Sequence, residues 1–198
     1  MNDTNNETVK KNPYTLWFVV LAFVAPAVLA YVMYFFGDIR SFSNHGEILD
    51  PVVDIAALQL KDDKNEVIPR KTITYKWRMI SFVGASCDEA CNARLYDSRQ
   101  IHKALGKDQH RVLRMIVHLE PTTVELQQLI EREHPDAIHV NGDAQAIMGA
   151  LGKSAGLRDN VIYIMDPIGN VMMRFTLQQT KKDILTDLRK LLKVSQIG

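Results

Sequence analysis

Cys87 and Cys91 are the only cysteines in this 198-residue chain, and they stand four positions apart. An apolar run, Met79-Ile80-Ser81-Phe82-Val83, and a short turn, Gly84-Ala85-Ser86, lead into them. A thiolate forms near neutral pH only in an electropositive setting, and a helix N-terminus following a strand supplies one. A close pair in a chain that otherwise avoids cysteine points to redox or metal chemistry more than to packing. Ser86-Cys87-Asp88-Glu89 matches a capping box, which makes Ser86 the N-cap, Cys87 the first helical residue and Cys91 its neighbour on one face. Residues so spaced have Cβ atoms about 5–6 Å apart, wider than the roughly 3.5–4.5 Å of a disulfide. Closing the bond then distorts the first turn, so the spacing predicts a strained, reducible disulfide; it also lets two sulfurs converge on one soft metal ion. Asp88 and Glu89 favour the positive helix end but oppose a thiolate by like charge.

Six histidines are scattered through the chain. His118 closes the strand-like run Val112–Val117 at the same rim of the sheet as the cysteines, where it could approach them. A surface or hydrogen-bonded histidine is the plainer account of it. His102 and His110, near the far end of the first helix, read as solvated. No Ser/His/Asp or paired-carboxylate arrangement stands out, and Asp62-Asp63 reads as part of a turn.

These residues need elements to position them. Short, apolar, β-branched or aromatic runs predict strands over Met79–Val83, Val112–Val117, Val161–Met165 and Val171–Phe175. Asp166-Pro167-Ile168-Gly169-Asn170 makes the last two a hairpin. Asp62-Asp63-Lys64-Asn65 predicts an earlier turn in an N-terminal hairpin. Thr122-Thr123-Val124-Glu125 matches a capping box opening a helix that turns Leu126, Leu129 and Ile130 inward and stops before His134-Pro135. Asp143 caps a short helix through Ile147, Ala150 and Leu151, closed by Gly152. Thr180 opens a last amphipathic helix with Ile184, Leu188, Leu191 and Leu192 inward. The order predicts an α/β fold with one antiparallel edge, its reactive site at the carboxyl ends of the parallel strands, where Cys87 falls.

The 24 basic and 23 acidic residues give a net charge of +1, so no pull toward nucleic acid is implied. From Asn12 to Gly37 there is no charge, and Leu16 to Phe36 is almost wholly apolar, enough to cross a hydrocarbon core. Pro26 is tolerated in such a span. Trp17, Tyr31, Tyr34 and Phe36 sit near its ends as interfacial anchors do. Val28-Leu29-Ala30 would pass as a signal-peptide cleavage site, but the apolar run continues beyond it, which favours an uncleaved anchor. Lys10 and Lys11 before the span outweigh Arg40 after it, which sets the N-terminus in the cytoplasm. The expected organisation is a cytoplasmic tail over 1–13, a transmembrane helix over 14–36, a linker over 37–47 and a globular domain over 48–198. A domain outside the inner (cytoplasmic) membrane, in the periplasm or an equivalent oxidising space, can hold a cysteine pair that cycles between dithiol and disulfide.

With these features the chain resembles the thioredoxin-like Sco/SenC proteins, membrane-anchored copper and thiol proteins of cytochrome c oxidase assembly. The resemblance rests on the anchor, on Lys76-Trp77-Arg78-Met79-Ile80-Ser81-Phe82 leading to Cys87-x-x-x-Cys91, on Val117-His118-Leu119-Glu120-Pro121, and on Val161-Ile162-Tyr163-Ile164-Met165-Asp166-Pro167-Ile168-Gly169-Asn170. It implies a thioredoxin-like domain, a mixed sheet flanked by helices, tethered by one N-terminal transmembrane helix. It also implies thiol–disulfide exchange at Cys87 and Cys91, and a cytochrome c oxidase subunit or assembly factor as partner. Two positions depart from the family. Asp88 stands where members carry Pro after the first cysteine. Leu157-Arg158-Asp159-Asn160-Val161 stands where they carry the Asp-His-Ser stretch whose histidine is the third copper ligand. An Asn amide is a poor soft ligand, so the thiol pair carries over and the histidine does not. Thiol–disulfide oxidoreduction is therefore the leading expectation. A copper carrier using Cys87, Cys91 and His118 as substitute ligand is the alternative, and a redox-inactive assembly scaffold is the third reading.

Overall fold

The mostly apolar run Trp77–Val83, broken only by Arg78 and Ser81, forms a strand covered on both faces, and all seven of its residues are buried. This strand is the centre of the fold. The computed structural model describes residues 13–36, 44–120, 122–152 and 160–197. The chain divides into two units between Ser43 and Asn44.

The first unit contains one helix, α1 (Pro13–Phe36, 24 residues, with Pro26 inside). At about 1.5 Å per residue it is roughly 36 Å long, enough for a hydrocarbon core of about 30 Å. Its Trp17–Tyr34 stretch is apolar enough to span a membrane and wholly unburied.

The second unit is built on a six-stranded mixed sheet in the order β1-β6-β5-β2-β3-β4. The strands are β1 (Glu47–Asp54), β2 (Trp77–Val83), β3 (Val112–Glu120), β4 (Ile138–Asp143), β5 (Ile162–Met165) and β6 (Asn170–Phe175). β2, β3 and β4 are parallel. β5 is antiparallel to β2, β6 to β5, and β1 to β6. The antiparallel part is thus three strands, wider than the single edge expected, because β1 closes on β6 rather than folding into a hairpin of its own. The Asp62–Asn65 turn does form, but it closes one isolated bridge, Lys61 to Val67. β4 was not expected at all.

Helices α2 (Arg70–Ile73), α3 (Glu89–Ala104), α4 (Val124–Glu133), α5 (Ala144–Leu151) and α6 (Lys181–Val194) complete the unit, with 3-10 turns at Ile55–Leu58 and Gly106–Arg111. Three of the predicted helix starts hold in substance. Asp143 accepts from the Ala146 N–H, and α5 ends at Gly152 with φ 80°. Thr180 and Asp183 form a reciprocal capping box for α6. α4 starts from Thr123, which accepts from the Leu126 N–H. Thr122 is therefore outside the helix and no capping box forms there. Ile130 faces the core, whereas Leu129 is exposed, a correction to the face assigned to it. The β5–β6 turn is as read: the Asp166 carboxylate accepts from the Ile168 and Asn170 N–H groups, and Gly169 takes φ 101°.

Side chains on alternate sides of β2 and β3 feed different layers. Ile80, Phe82, Met115, Val117 and Leu119 pack with α5 and the Ile55–Leu60 segment. Val83 and Ile116, on the opposite side, pack with Cys91 and Leu95 of α3 and Ile130 of α4. His102, contrary to the solvated position expected for it, is buried, its Nε2 2.8 Å from the Val112 carbonyl. Helix α3 needs that contact because its last turn lies directly against the start of β3.

Candidate redox site at the start of helix α3

Four residues beyond the end of β2 the chain reaches Cys87, and α3 begins two positions later at Glu89. The N-cap is Asp88, not Ser86: its carboxylate accepts from the Cys91 N–H at 2.8 Å. An aspartate caps as well as a serine and adds a charge complementary to the helix end, so the cap moves two residues on. Cys87 therefore precedes the helix, and Cys91 lies in its first turn. The two are joined by a disulfide with Cα atoms 5.2 Å apart, inside the ordinary range of about 4.4–6.8 Å. A bridge from a loop residue to the first turn does not require the helix to deform, so the distortion expected of a bond within that turn does not arise.

The two sulfurs have different surroundings. Cys87 is partly exposed; Cys91 is 6% exposed, packed with Val83, Leu95 and Ile116. A cleft of about 340 Å³ opens beside them, lined by the Gly84–Ser86 turn, Asp88, Cys91 and Asn160. Asn92, which no motif or spacing singles out, fastens the pair. Its amide donates to the carbonyls of Cys87 (3.2 Å) and Asp88 (3.0 Å), and its Oδ1 lies 3.6 Å from the Cys87 sulfur.

The far wall of the cleft is held by Arg94, one turn along α3 from Cys91. Its guanidinium is buried and donates to the carbonyls of Asn160 (3.1 Å), Phe175 (3.1 Å) and Thr176 (2.6 Å). Burial pushes Arg94 down from its ordinary value, with Asp97 acting the other way. With the Gln179 carbonyl at 3.4 Å, four carbonyl oxygens around one cation fix the loop end at Asn160, whose φ of 54° is left-handed, a conformation Asn tolerates. The only sequence signal for Arg94 was its place three residues after Cys91, on the buried face of α3. Leu157, Arg158 and Asp159, in the stretch where the resemblance led us to look for a third ligand, lie outside the described residues, as does Pro121.

His118 lies within β3, beside Val83 of β2, on the side of the sheet that faces α3. It is 1% exposed, and its Nε2 is 3.1 Å from Nδ1 of His139 on β4. No hydrogen bond joins it to either sulfur. Burial, then the neighbouring His139, pushes its imidazole down to about 4, while Glu131 pulls it up. His118 is thus a neutral ring at pH 7.

Comparison with known proteins follows the same lines. Residues 77–195 match the family model described as transmembrane-like, thioredoxin-like, C-terminal domain. No curated protein matches the chain. Among solved structures, Arabidopsis thaliana ScoI with copper bound superposes with a TM-score of 0.55 at 16% identity, over 69% of this chain and 96% of that one. Yeast Sco1 with copper bound gives 0.56 at 16%, over 73% and 92%. Apo Sco1 from Thermus thermophilus gives 0.55 at 14%, over 75% and 97%. At these identities the likeness is one of fold, and it is the Sco-like thioredoxin fold that the sequence motifs led us to expect. The chain belongs to the family of transmembrane-like, thioredoxin-like C-terminal domains.

Proposed function

We propose that this chain is a membrane-tethered thiol–disulfide exchange protein that acts on the cysteines of a cytochrome c oxidase copper site or of an assembly factor serving it. Residues 1–13 are cytoplasmic in this reading, 14–36 cross the inner membrane, 37–47 link, and 48–198 work on the oxidising side, the periplasm or its equivalent. The observation that carries the proposal is the asymmetric cysteine pair. Cys87 is partly exposed, and Cys91, bonded to it, is buried and lines the adjoining cleft.

In the dithiol form the Cys87 thiolate attacks one sulfur of a partner disulfide and the other partner sulfur leaves as a thiolate. Cys91, deprotonated in turn, attacks the Cys87 sulfur, closes the internal bridge and releases the second partner thiolate. Two electrons pass to the partner, and an external dithiol must reopen the bridge before the next cycle. The closed pair in the structure is the product of that sequence, or the starting state of its reverse.

Replacing Cys91 with Ser removes the resolving thiol, so Cys87 should retain its partner as a mixed disulfide that survives non-reducing electrophoresis. The Cys87→Ser variant should trap far less. If neither variant holds a partner, and the wild-type pair resists both reduction and reoxidation, exchange is not the function.

The Arabidopsis and yeast neighbours, both with copper bound, support a second reading: copper carriage by Cys87, Cys91 and His118. Two thiolates suit a soft ion, but disulfide sulfurs do not, so this requires the reduced pair. His118 would also have to leave His139. Stoichiometric Cu(I) binding by the reduced protein, lost in the Cys87→Ser/Cys91→Ser variant, would favour it over exchange.

A further inference from the structure

Behind the cysteine site, on the side of the sheet facing α3 and α4, three ligand-type side chains from three elements converge. His118 comes from β3, His139 from β4 and Glu131 from α4, and one donor atom of each lies within 4.8 Å of the other two. β3 and β4 are parallel with Ile116 opposite His139 and His118 opposite Asn141. The two histidines are therefore diagonal neighbours on one side of the sheet, the rings stacked with centroids 5.4 Å apart.

The hydrogen bonds around this cluster fix which atoms are free. His139 Nε2 lies 3.0 Å from the His134 carbonyl, which can only accept, so Nε2 carries the proton and Nδ1 a lone pair. That lone pair accepts from His118 Nε2–H at 3.1 Å. His118 Nδ1 is then an unprotonated nitrogen, buried, with no partner. Glu131 is oriented as well, its Oε1 accepting from the Gln127 amide at 3.0 Å. Two of three donors are thus held by outer hydrogen bonds of the kind that orient metal ligands.

We propose that His118, His139 and Glu131 form a binding site for a divalent transition-metal cation, zinc being the probe, separate from the cysteine pair. Two imidazoles and one carboxylate suit borderline cations such as Zn²⁺, and three protein donors leave a fourth position for water or another ligand. Glu131 and His139 are each half-buried, so the site has an entry from solvent. A cation between the rings replaces the N–H···N contact, the proton on His118 moving from Nε2 to Nδ1. The site would bind α4 to the β3–β4 edge and does not depend on the exchange reading.

The test uses the full chain, without a histidine tag, in detergent micelles, with the Cys87–Cys91 bridge closed and free thiol absent by titration, so that the sulfurs cannot act as thiolate ligands. Zinc is titrated in competition with a chromophoric chelator. One zinc per chain is expected. Glu131→Gln and His139→Gln, both at half-exposed positions, should each weaken it by about 100-fold, and Gln127→Ala by roughly 10-fold, as loss of an outer hydrogen bond does. Zinc should raise the melting temperature of the wild type and not that of His139→Gln. Absence of zinc binding by the folded wild type overturns the proposal. So does binding that Glu131→Gln and His139→Gln leave unchanged, or that appears only once the disulfide is reduced.

Discussion

Cys87 and Asp88 present opposing demands within two residues. The Asp88 carboxylate caps α3 through the Cys91 N–H, yet it stands beside the sulfur that must ionise to attack. The two effects can be separated. Asp88→Asn keeps an equally good cap without the charge, so the reduced protein should remain as stable while Cys87 reacts several-fold faster with iodoacetamide at pH 7. Asp88→Ala loses the cap and should cost about 1 kcal/mol in urea unfolding. Equal alkylation rates in the wild type and Asp88→Asn would mean that the carboxylate does not govern the thiol. The cysteine pair was legible from its isolation and its place after an apolar run. The partners Asn92 and Arg94 were not. Each acts through carbonyl groups of distant or non-helical backbone, Arg94 reaching Asn160 and Phe175, and no side-chain spacing encodes a carbonyl.

Among the elements, those with strong local chemistry were readable and those held by their neighbours were not. α5 and α6 carry caps and an apolar stripe, and β2 carries the apolar run Met79–Val83 broken only by Ser81, so their existence follows from local pattern. β4 reads Ile-His-Val-Asn-Gly-Asp, with Asn, Gly and Asp all poor strand formers, and of its six residues only Val140 and Gly142 are buried. It is a strand because β3 pairs with it in parallel. The His118–Glu131–His139 cluster escaped notice for the same reason, since one of its members sits on that strand. Arg114 shows another buried contact between elements. Only 1% of its side chain is exposed, and it joins β3 to Leu95 and Ser98 of α3 and to Asp136 before β4, at 3.1 Å. Burial pushes Asp136 up, but the Arg114 charge and hydrogen bond outweigh it and hold the carboxyl below its ordinary value. A group lowered in the folded state adds stability above its unfolded value and loses it as pH falls through the folded one. Asp136→Asn should therefore be less stable at pH 7 by about 1 kcal/mol, kept small by the carboxylate's exposure. The gap should close below the ordinary carboxylate range. Urea midpoints at pH 7 and pH 3 measure it; a gap independent of pH would show that the ion pair contributes nothing.

For the whole molecule, the alternation of strands and helices was enough to give an α/β fold, the family resemblance implied its thioredoxin-like form, and a charge-free apolar run was enough to give α1. What decides function at this scale is which side of a membrane the Asn44–Gly198 unit occupies, because a vicinal dithiol is kept reduced in the cytoplasm and cycles only where oxidants reach it. The orientation rests on flanking cations alone: Lys10 and Lys11 before α1, Arg40 after it. In the proposed topology the positive-inside rule retains the lysine side in the cytoplasm and exports the cysteine pair. In intact spheroplasts, an impermeant reductant followed by an impermeant maleimide should label Cys87 and Cys91 without lysis. Replacing both lysines with alanine leaves Arg40 as the nearest cation, so a measurable share of the chains should invert and become labelled only after lysis. Wild-type protein that reacts only after lysis would place the pair in the cytoplasm, and exchange with an oxidase copper site on the far side would then be physically impossible.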